Sequence, residues 1–202
     1  MKLGLYYRTI ITDKNGKIVK RSGWRKNKSF VIGFLKHIDA LCSREANLAG
    51  NIVATVDTGG VSHDLQCTIG CAWNATATLM IFAPDDNDVY GIVVGTGTTP
   101  PTNSDYRLEA KIAQGVGAGQ LDYGTHSRTA PEVVAGNVDF VMSRTFYNGS
   151  GASIIVNEIG IYCCSVIGTA YYYFCLVRDV ITATTVANTQ TLTVQYTLRT
   201  TV

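Results

Sequence analysis

The chain has 202 residues, with 17 Lys plus Arg against 15 Asp plus Glu, 20 Gly and 4 Pro. Charged residues make up 16% of it, against roughly 25% in an average soluble domain, and small polar residues, among them 24 Thr, take their place. An apolar share of 46% with a net charge of +2 excludes a disordered chain, and no apolar run approaches the roughly 18 residues of a membrane span.

The first eight residues hold no apolar leader, so no secretory signal is expected. Residues 3–12 and 17–24 read as two strands around Asp13-Lys14-Asn15-Gly16, because Asn-Gly tolerates the positive φ of a tight hairpin. The charge is uneven. Residues 1–45 carry 11 Lys or Arg and 3 Asp or Glu, a net of +8, whereas residues 46–202 carry 6 and 12, a net of −6. Residues 1–28 therefore form a basic N-terminal β-hairpin arm, with Lys20, Arg21, Arg25, Lys26 and Lys28 as the expected docking residues. An acidic protein neighbour fits this charge, and a merely solvated face is the alternative. No aromatic RNP-like pattern or zinc spacing supports nucleic acid.

Over residues 29–45 the period changes. Phe30, Val31, Phe34, Leu35, Ile38, Leu41 and Cys42 repeat as one face of an amphipathic helix, which places Lys36, His37 and Asp39 on the polar side. A second, shorter helix is expected from Ser104 or Asp105, carrying Leu108 and Ile112 towards the glycines at 115, 117 and 119. Elsewhere the chain reads as strand after strand: 51–56, 65–73, 76–83, 89–94, 121–129, 138–147, 152–164 and 171–182. The last is the clearest, with Leu192, Val194, Tyr196 and Leu198 on one face and Thr191, Thr193, Gln195, Thr197 and Arg199 on the other. Residues 171–182 are apolar on both faces, which predicts a strand that is central or covered twice. The expected architecture is mainly β: an antiparallel, jelly-roll-like β-sandwich over residues 46–202 with the N-terminal hairpin and one helix, in a single domain.

The chemical motifs are individually weak. Val56-Asp57-Thr58-Gly59-Gly60 has the look of an aspartic-protease triplet, and equally of a tight turn at a strand end. Gly95-Thr96-Gly97-Thr98-Thr99-Pro100-Pro101 matches neither a dinucleotide fingerprint nor a P-loop and reads as a surface turn. Asp85-Asp86-Asn87-Asp88 clusters oxygen ligands without calcium-loop spacing, and His63, Cys67 and Cys71 have only one of the adjacent Cys163 and Cys164 as a fourth zinc ligand, because neighbours on a strand point to opposite sides. Cys42, Cys67, Cys71, Cys163, Cys164 and Cys175 are expected mostly as buried free thiols, with one or more disulfides as the alternative. No enzymatic activity, cofactor or metal is expected. Glu158 and Arg178 both lie in apolar strands, which is costly unless they are paired, so a structural ion pair of Glu158 with Arg178 or Arg144 is expected. Tyr171 and Tyr173 are the expected aromatic contact, within the core or between subunits, with a platform that stacks a ligand such as a sugar as the further alternative.

Taken in order, several segments resemble one family. They include Ser29-Phe30-Val31-Ile32-Gly33-Phe34-Leu35, Tyr90-Gly91-Ile92-Val93-Val94-Gly95-Thr96-Gly97 and Asp105-Tyr106-Arg107-Leu108. Ser143-Arg144-Thr145-Phe146, Val156-Asn157-Glu158-Ile159-Gly160-Ile161-Tyr162 and Val177-Arg178-Asp179-Val180 follow. From Ser29 onward the chain resembles small virion structural proteins of tailed bacteriophages. The resemblance implies a repeated, homo-oligomeric component of a particle: a capsid decoration protein, a fibre-base protein or a part of the tail. Its partners would be other virion proteins, such as the major capsid or tail proteins, and its location the virion, after synthesis in the host cytoplasm. No catalytic residue comes with it. The alternative is a tail-tip or fibre module that binds a receptor or glycan, with Asp85, Asp86, Asp88 and Tyr90 as the expected place.

Overall fold

The two ends of the sequence meet as neighbours in one sheet. In the computed structural model, which describes residues 2–27, 30–42, 53–65, 79–167 and 169–201, β1 (Lys2–Thr12) pairs antiparallel with β12 (Thr191–Thr201) along its full length. β12 pairs in turn with β9 (Asn137–Tyr147), and β7 (Asp122–Arg128) and β8 (Glu132–Val134) share the far side of β9. On the outer side of β1 lie β2 (Ile18–Arg21) and β3 (Arg25–Lys26). The basic hairpin is thus built into the larger sheet, whose order is β2-β1-β12-β9-β7. A second sheet runs β11 (Ala170–Val186), β10 (Ile154–Ile167), β6 (Gly91–Gly95), and β4 (Val53–Val56) with β5 (Ser62–Leu65) forms a separate hairpin. Among the described residues every strand pairing is antiparallel, as expected for the sandwich.

One core joins the two sheets. Leu192, Val194 and Tyr196 are wholly buried, as the alternation of the last strand requires, and they share that core with Phe146, Ile159 and Phe174. Tyr123 of β7 crosses between the layers, where its hydroxyl donates to Ile112 O at 2.6 Å. β11 lies at the edge of its sheet, yet residues 174–179 are all buried. Its free edge is covered by other segments: Val31 N–H donates to Leu176 O at 3.1 Å and Thr58 N–H to Tyr173 O at 2.8 Å.

Three expectations need correction. The strand expected over 76–83 is, in its described part 79–83, an irregular segment with a single bridge from Met80 to Cys164, and residues 66–78 lie outside the described residues. The helix, α1 (Ile32–Cys42), forms where the period predicts it, but rotated about its axis. His37 is buried at 1% exposure, while Leu35 and Ile38 lie exposed. The cause is close packing. A Cβ on Gly33 would fall 2.4 Å from Cys175 O, so the side of the helix with the smallest residue must face β11. That contact carries His37 inward with it.

The second helix does not form, and residues 104–111 are turns and a short bridge. Leu108 and Ile112 are buried as expected. However, the N–H groups of Glu109 and Ala110, which a helix would direct at its own preceding turn, donate to the carboxylate of Glu158. A charged acceptor from another strand outcompetes a local carbonyl there.

Candidate functional site

The N-terminal hairpin presents its cations outward. Asp13 closes the turn, accepting from Asn15 N–H at 2.9 Å and Lys17 N–H at 3.0 Å, while Gly16 takes a φ of 77°. Lys14, Lys17, Lys20, Arg21, Arg25 and Lys26 are all exposed, and Lys28 lies outside the described residues. Arg25 reaches across to β11 and donates to the Thr182 hydroxyl at 2.6 Å. Between this edge and the end of β11 runs a groove of about 320 Å³ lined by Tyr7, Lys20, Arg21, Arg25, Thr182 and Thr184. Arg8 sits over the Trp24 ring at 4.5 Å, and burial, then the nearby charge of Arg21, lower its pKa. The ion pairs among the described residues involve Lys111, Arg178, Arg199 and His63, and none includes Lys14, Lys17, Lys20, Arg21 or Lys26.

The body uses its charges internally. Glu158, on β10, is fully buried and accepts four hydrogen bonds. Gly97 N–H (3.1 Å) and Ala110 N–H (2.7 Å) meet one oxygen, and Glu109 N–H (3.0 Å) and Arg178 Nε (3.0 Å) meet the other. The structure therefore brings Glu158 together with Arg178, and not with Arg144. Arg178 also donates to Asp105 at 2.6 Å and lies 3.5 Å from Glu109. Burial pulls its pKa down, but the bonds to Asp105 and Glu158 leave it raised. The Gly-rich loop does cradle anions, and they are this chain's own carboxylates: Thr98 and Thr99 N–H hold Glu109 at 2.9 and 2.8 Å. A Cβ on Gly97 would fall 2.5 Å from Glu158 Oε1, so only glycine lets that loop close on the carboxylate.

Arg144, the alternative partner for Glu158, takes a different role. It is 1% exposed and its guanidinium donates only to carbonyls: Gly124 (2.8 Å), Tyr90 (3.3 Å), Ile92 (3.2 Å), Pro84 (3.0 Å) and Asn87 (2.6 Å). Burial brings its pKa down to about 10, against the upward pull of Tyr123, Asp85 and Asp88. Beside it, half-buried His126 accepts from Ile92 N–H at 2.7 Å and donates from Nδ1 to Ala83 O at 3.1 Å, which fixes its tautomer. Burial first, and then Arg144, lower its pKa to about 4.

The remaining motifs resolve into structural roles. Asp57 caps the β4–β5 turn, accepting from Gly59 N–H (2.9 Å) and Val61 N–H (2.8 Å) and pairing with His63 at 2.8 Å. Burial alone would raise its pKa, but those donors hold it below the usual carboxylate range. In the acidic loop, Asp88 pairs with Lys111 at 3.1 Å and Asp86 accepts from the Gln114 side chain at 2.8 Å. Among the described residues no three His, Cys, Asp or Glu side chains converge as metal ligands. Cys67 and Cys71, with the side chain of Cys42, lie outside the described residues, whereas Cys163, Cys164 and Cys175 are buried free thiols.

Sequence reasoning also missed a Cys–His neighbourhood, which no local spacing signals. His37 Nδ1 donates to Gly33 O at 2.7 Å, leaving Nε2 as acceptor 3.3 Å from both Cys163 Sγ and Ser165 Oγ. Burial pushes the Cys163 thiol up to about 12, so the pair holds the helix to the sheet with the sulfur protonated. Of the tyrosines, Tyr171 is 64% exposed, while Tyr173 stacks on Tyr90 at 6.1 Å. Tyr173 also lines a groove of about 370 Å³ with Thr58, Arg107, Glu109 and Lys111.

No family model matches the sequence, and neither a curated protein nor a solved structure matches it.

Proposed function

We propose that this chain is a non-enzymatic structural subunit of a tailed-phage particle, repeated in many copies and held in place through its basic sheet edge. One observation carries the reading. Glu158, Asp105 and Asp139 of the body are tied to its own backbone and arginines, while Lys14, Lys17, Lys20, Arg21 and Lys26 face outward without an ion-pair partner among the described residues. A segment of net charge +8 on a body of −6 suits contact with an acidic neighbour, and many weak contacts add up across a symmetric array. The family resemblance from Ser29 onward agrees with that role. The interaction is electrostatic, so association of purified protein, alone or with particles, should weaken as salt rises from about 50 to about 500 mM, where the screening length drops to several ångström. Equal association across that range would overturn the electrostatic role.

A second reading follows the groove beside Tyr173. An aromatic face next to Glu109, Lys111, Arg107 and Thr58 is the chemistry that takes a sugar ring, as a receptor- or glycan-binding module would. Saturable binding on a glycan array, lost in Tyr173→Ala, would favour it over the assembly role.

A further inference from the structure

We infer that the β2 edge docks onto a second copy of this chain, at the acidic loop fixed to the opposite edge of the same sheet. This rests on the assembly reading above and names the contact within it.

The register places the two surfaces at one level. Lys20 lies opposite Ile11, Ile11 opposite Leu192, Leu192 opposite Phe146 and Phe146 opposite Tyr123. The next row runs from Ile18 through Thr12, Thr191 and Tyr147 to Asp122. Lys20 and Tyr123, like Ile18 and Asp122, are therefore the two ends of the same cross-strand rows. At about 4.8 Å per strand the ends stand roughly 19 Å apart, so one copy cannot join its own two edges.

The far end is acidic. Asp86 N–H donates to Tyr123 O at 2.9 Å, which anchors the loop to the β7 edge, and Gln114 Nε2 ties Asp86 (2.8 Å) to Asp122 (2.9 Å). Asp85 and Asp86 are exposed. Asp85 accepts from the Thr125 hydroxyl and feels the buried charge of Arg144, but neither Asp85 nor Asp86 has an ion-pair partner among the described residues, since Arg144 donates to carbonyls and Lys111 pairs with Asp88. The near end is basic and apolar. All four residues of β2 are exposed, Ile18 at 46% and Val19 at 57%, and no described strand covers their outer side. An open edge with apolar side chains is a surface that soluble proteins normally cover.

Charge decides the mode. Pairing β2 with β2 would set Lys20 and Arg21 against their own copies, whereas pairing β2 with the Asp85–Asp86 loop matches opposite signs. The contact is consequently head-to-tail, between two different patches, and it builds a ring or an open series of copies.

The test is a charge-swap cycle read by sedimentation velocity on the full chain at low salt. Lys20→Glu and Asp85→Lys should each weaken self-association about tenfold, and the double variant should restore it to within about threefold of the original, with every variant keeping a cooperative thermal melt. Self-association that ignores either single swap, or that the double variant fails to restore, overturns this pairing while leaving assembly through another surface. A chain that stays monomeric at every concentration and salt overturns the self-contact altogether. Failure of the virion reading shows separately, as absence of the protein from purified particles.

Discussion

Replacing Glu158 by Gln keeps the shape of the side chain and removes one of its two acceptor atoms. Each carboxylate oxygen accepts two hydrogen bonds in a site with no exposure to solvent. In Glu158→Gln the amide oxygen can still serve Gly97 and Ala110, but the new NH2 group then faces the N–H of Glu109 and Nε of Arg178, donor against donor. Two buried donors are left unsatisfied, at about 1–3 kcal/mol each. Breaking a buried pair outright costs about 3–5 kcal/mol. Arg178 retains Asp105 at 2.6 Å, so its charge is not stranded, and the expected loss lies at the low end, about 3 kcal/mol. For a domain of this size that lowers Tm by roughly 6–12 °C. Guanidinium and thermal unfolding of the variant beside the original protein measure it. Glu109→Gln is the comparison, and because Glu109 is exposed its shift should be much smaller. A Glu158→Gln loss under about 1 kcal/mol would refute the view that this carboxylate organises the loop around it.

Three further outcomes follow from the same polar core. Arg144→Lys replaces five directed bonds with at most three, orphaning at least two carbonyls, and should cost about 3 kcal/mol in denaturant unfolding; a neutral result would contradict the carbonyl nest. Gly97→Ala should destabilise by about 1–3 kcal/mol, because its Cβ would fall 2.5 Å from Glu158 Oε1; a neutral result in denaturant unfolding would refute that close approach. His126 is held neutral, with a pKa of about 4 against an ordinary 6.5. The unfolded chain takes up the proton first, so this stability is present in full above pH 6.5, is lost between pH 6.5 and 4, and falls no further below that. The loss amounts to about 3 kcal/mol at most, and His126→Gln should flatten that part of the pH profile, as urea midpoints would reveal.

The features legible in the sequence were those whose cause is local. Alternation along Leu192, Val194 and Tyr196 sets which face of β12 is buried, and the Asp13-Lys14-Asn15-Gly16 turn sets the hairpin. The cost of a lone charge in an apolar strand pointed to Glu158 and Arg178, which the structure brings to 3.0 Å. What escaped has partners far along the chain. The carbonyls that hold Arg144 come from residues 84–92 and from Gly124, and nothing around Arg144 announces them. The spacing of Leu108 and Ile112 imitates a helix, and only the arrival of Glu158 from β10 diverts the intervening N–H groups. The helix that does form was rotated by a single close approach, Gly33 on Cys175 O, which no periodicity encodes. At the edges of the larger sheet, charge segregation was visible from composition, but the level match between Lys20 and Tyr123 is a property of register across five strands.

The central claim, a repeated particle subunit, meets its most direct test in the number of copies per purified virion, counted by quantitative mass spectrometry against the particle's other proteins. The account predicts tens to hundreds of copies per particle, retained at low salt and shed as salt is raised, because about 10 Å of screening at 0.1 M already weakens exposed charge contacts. Finding the protein in infected cells but not in particles would contradict it.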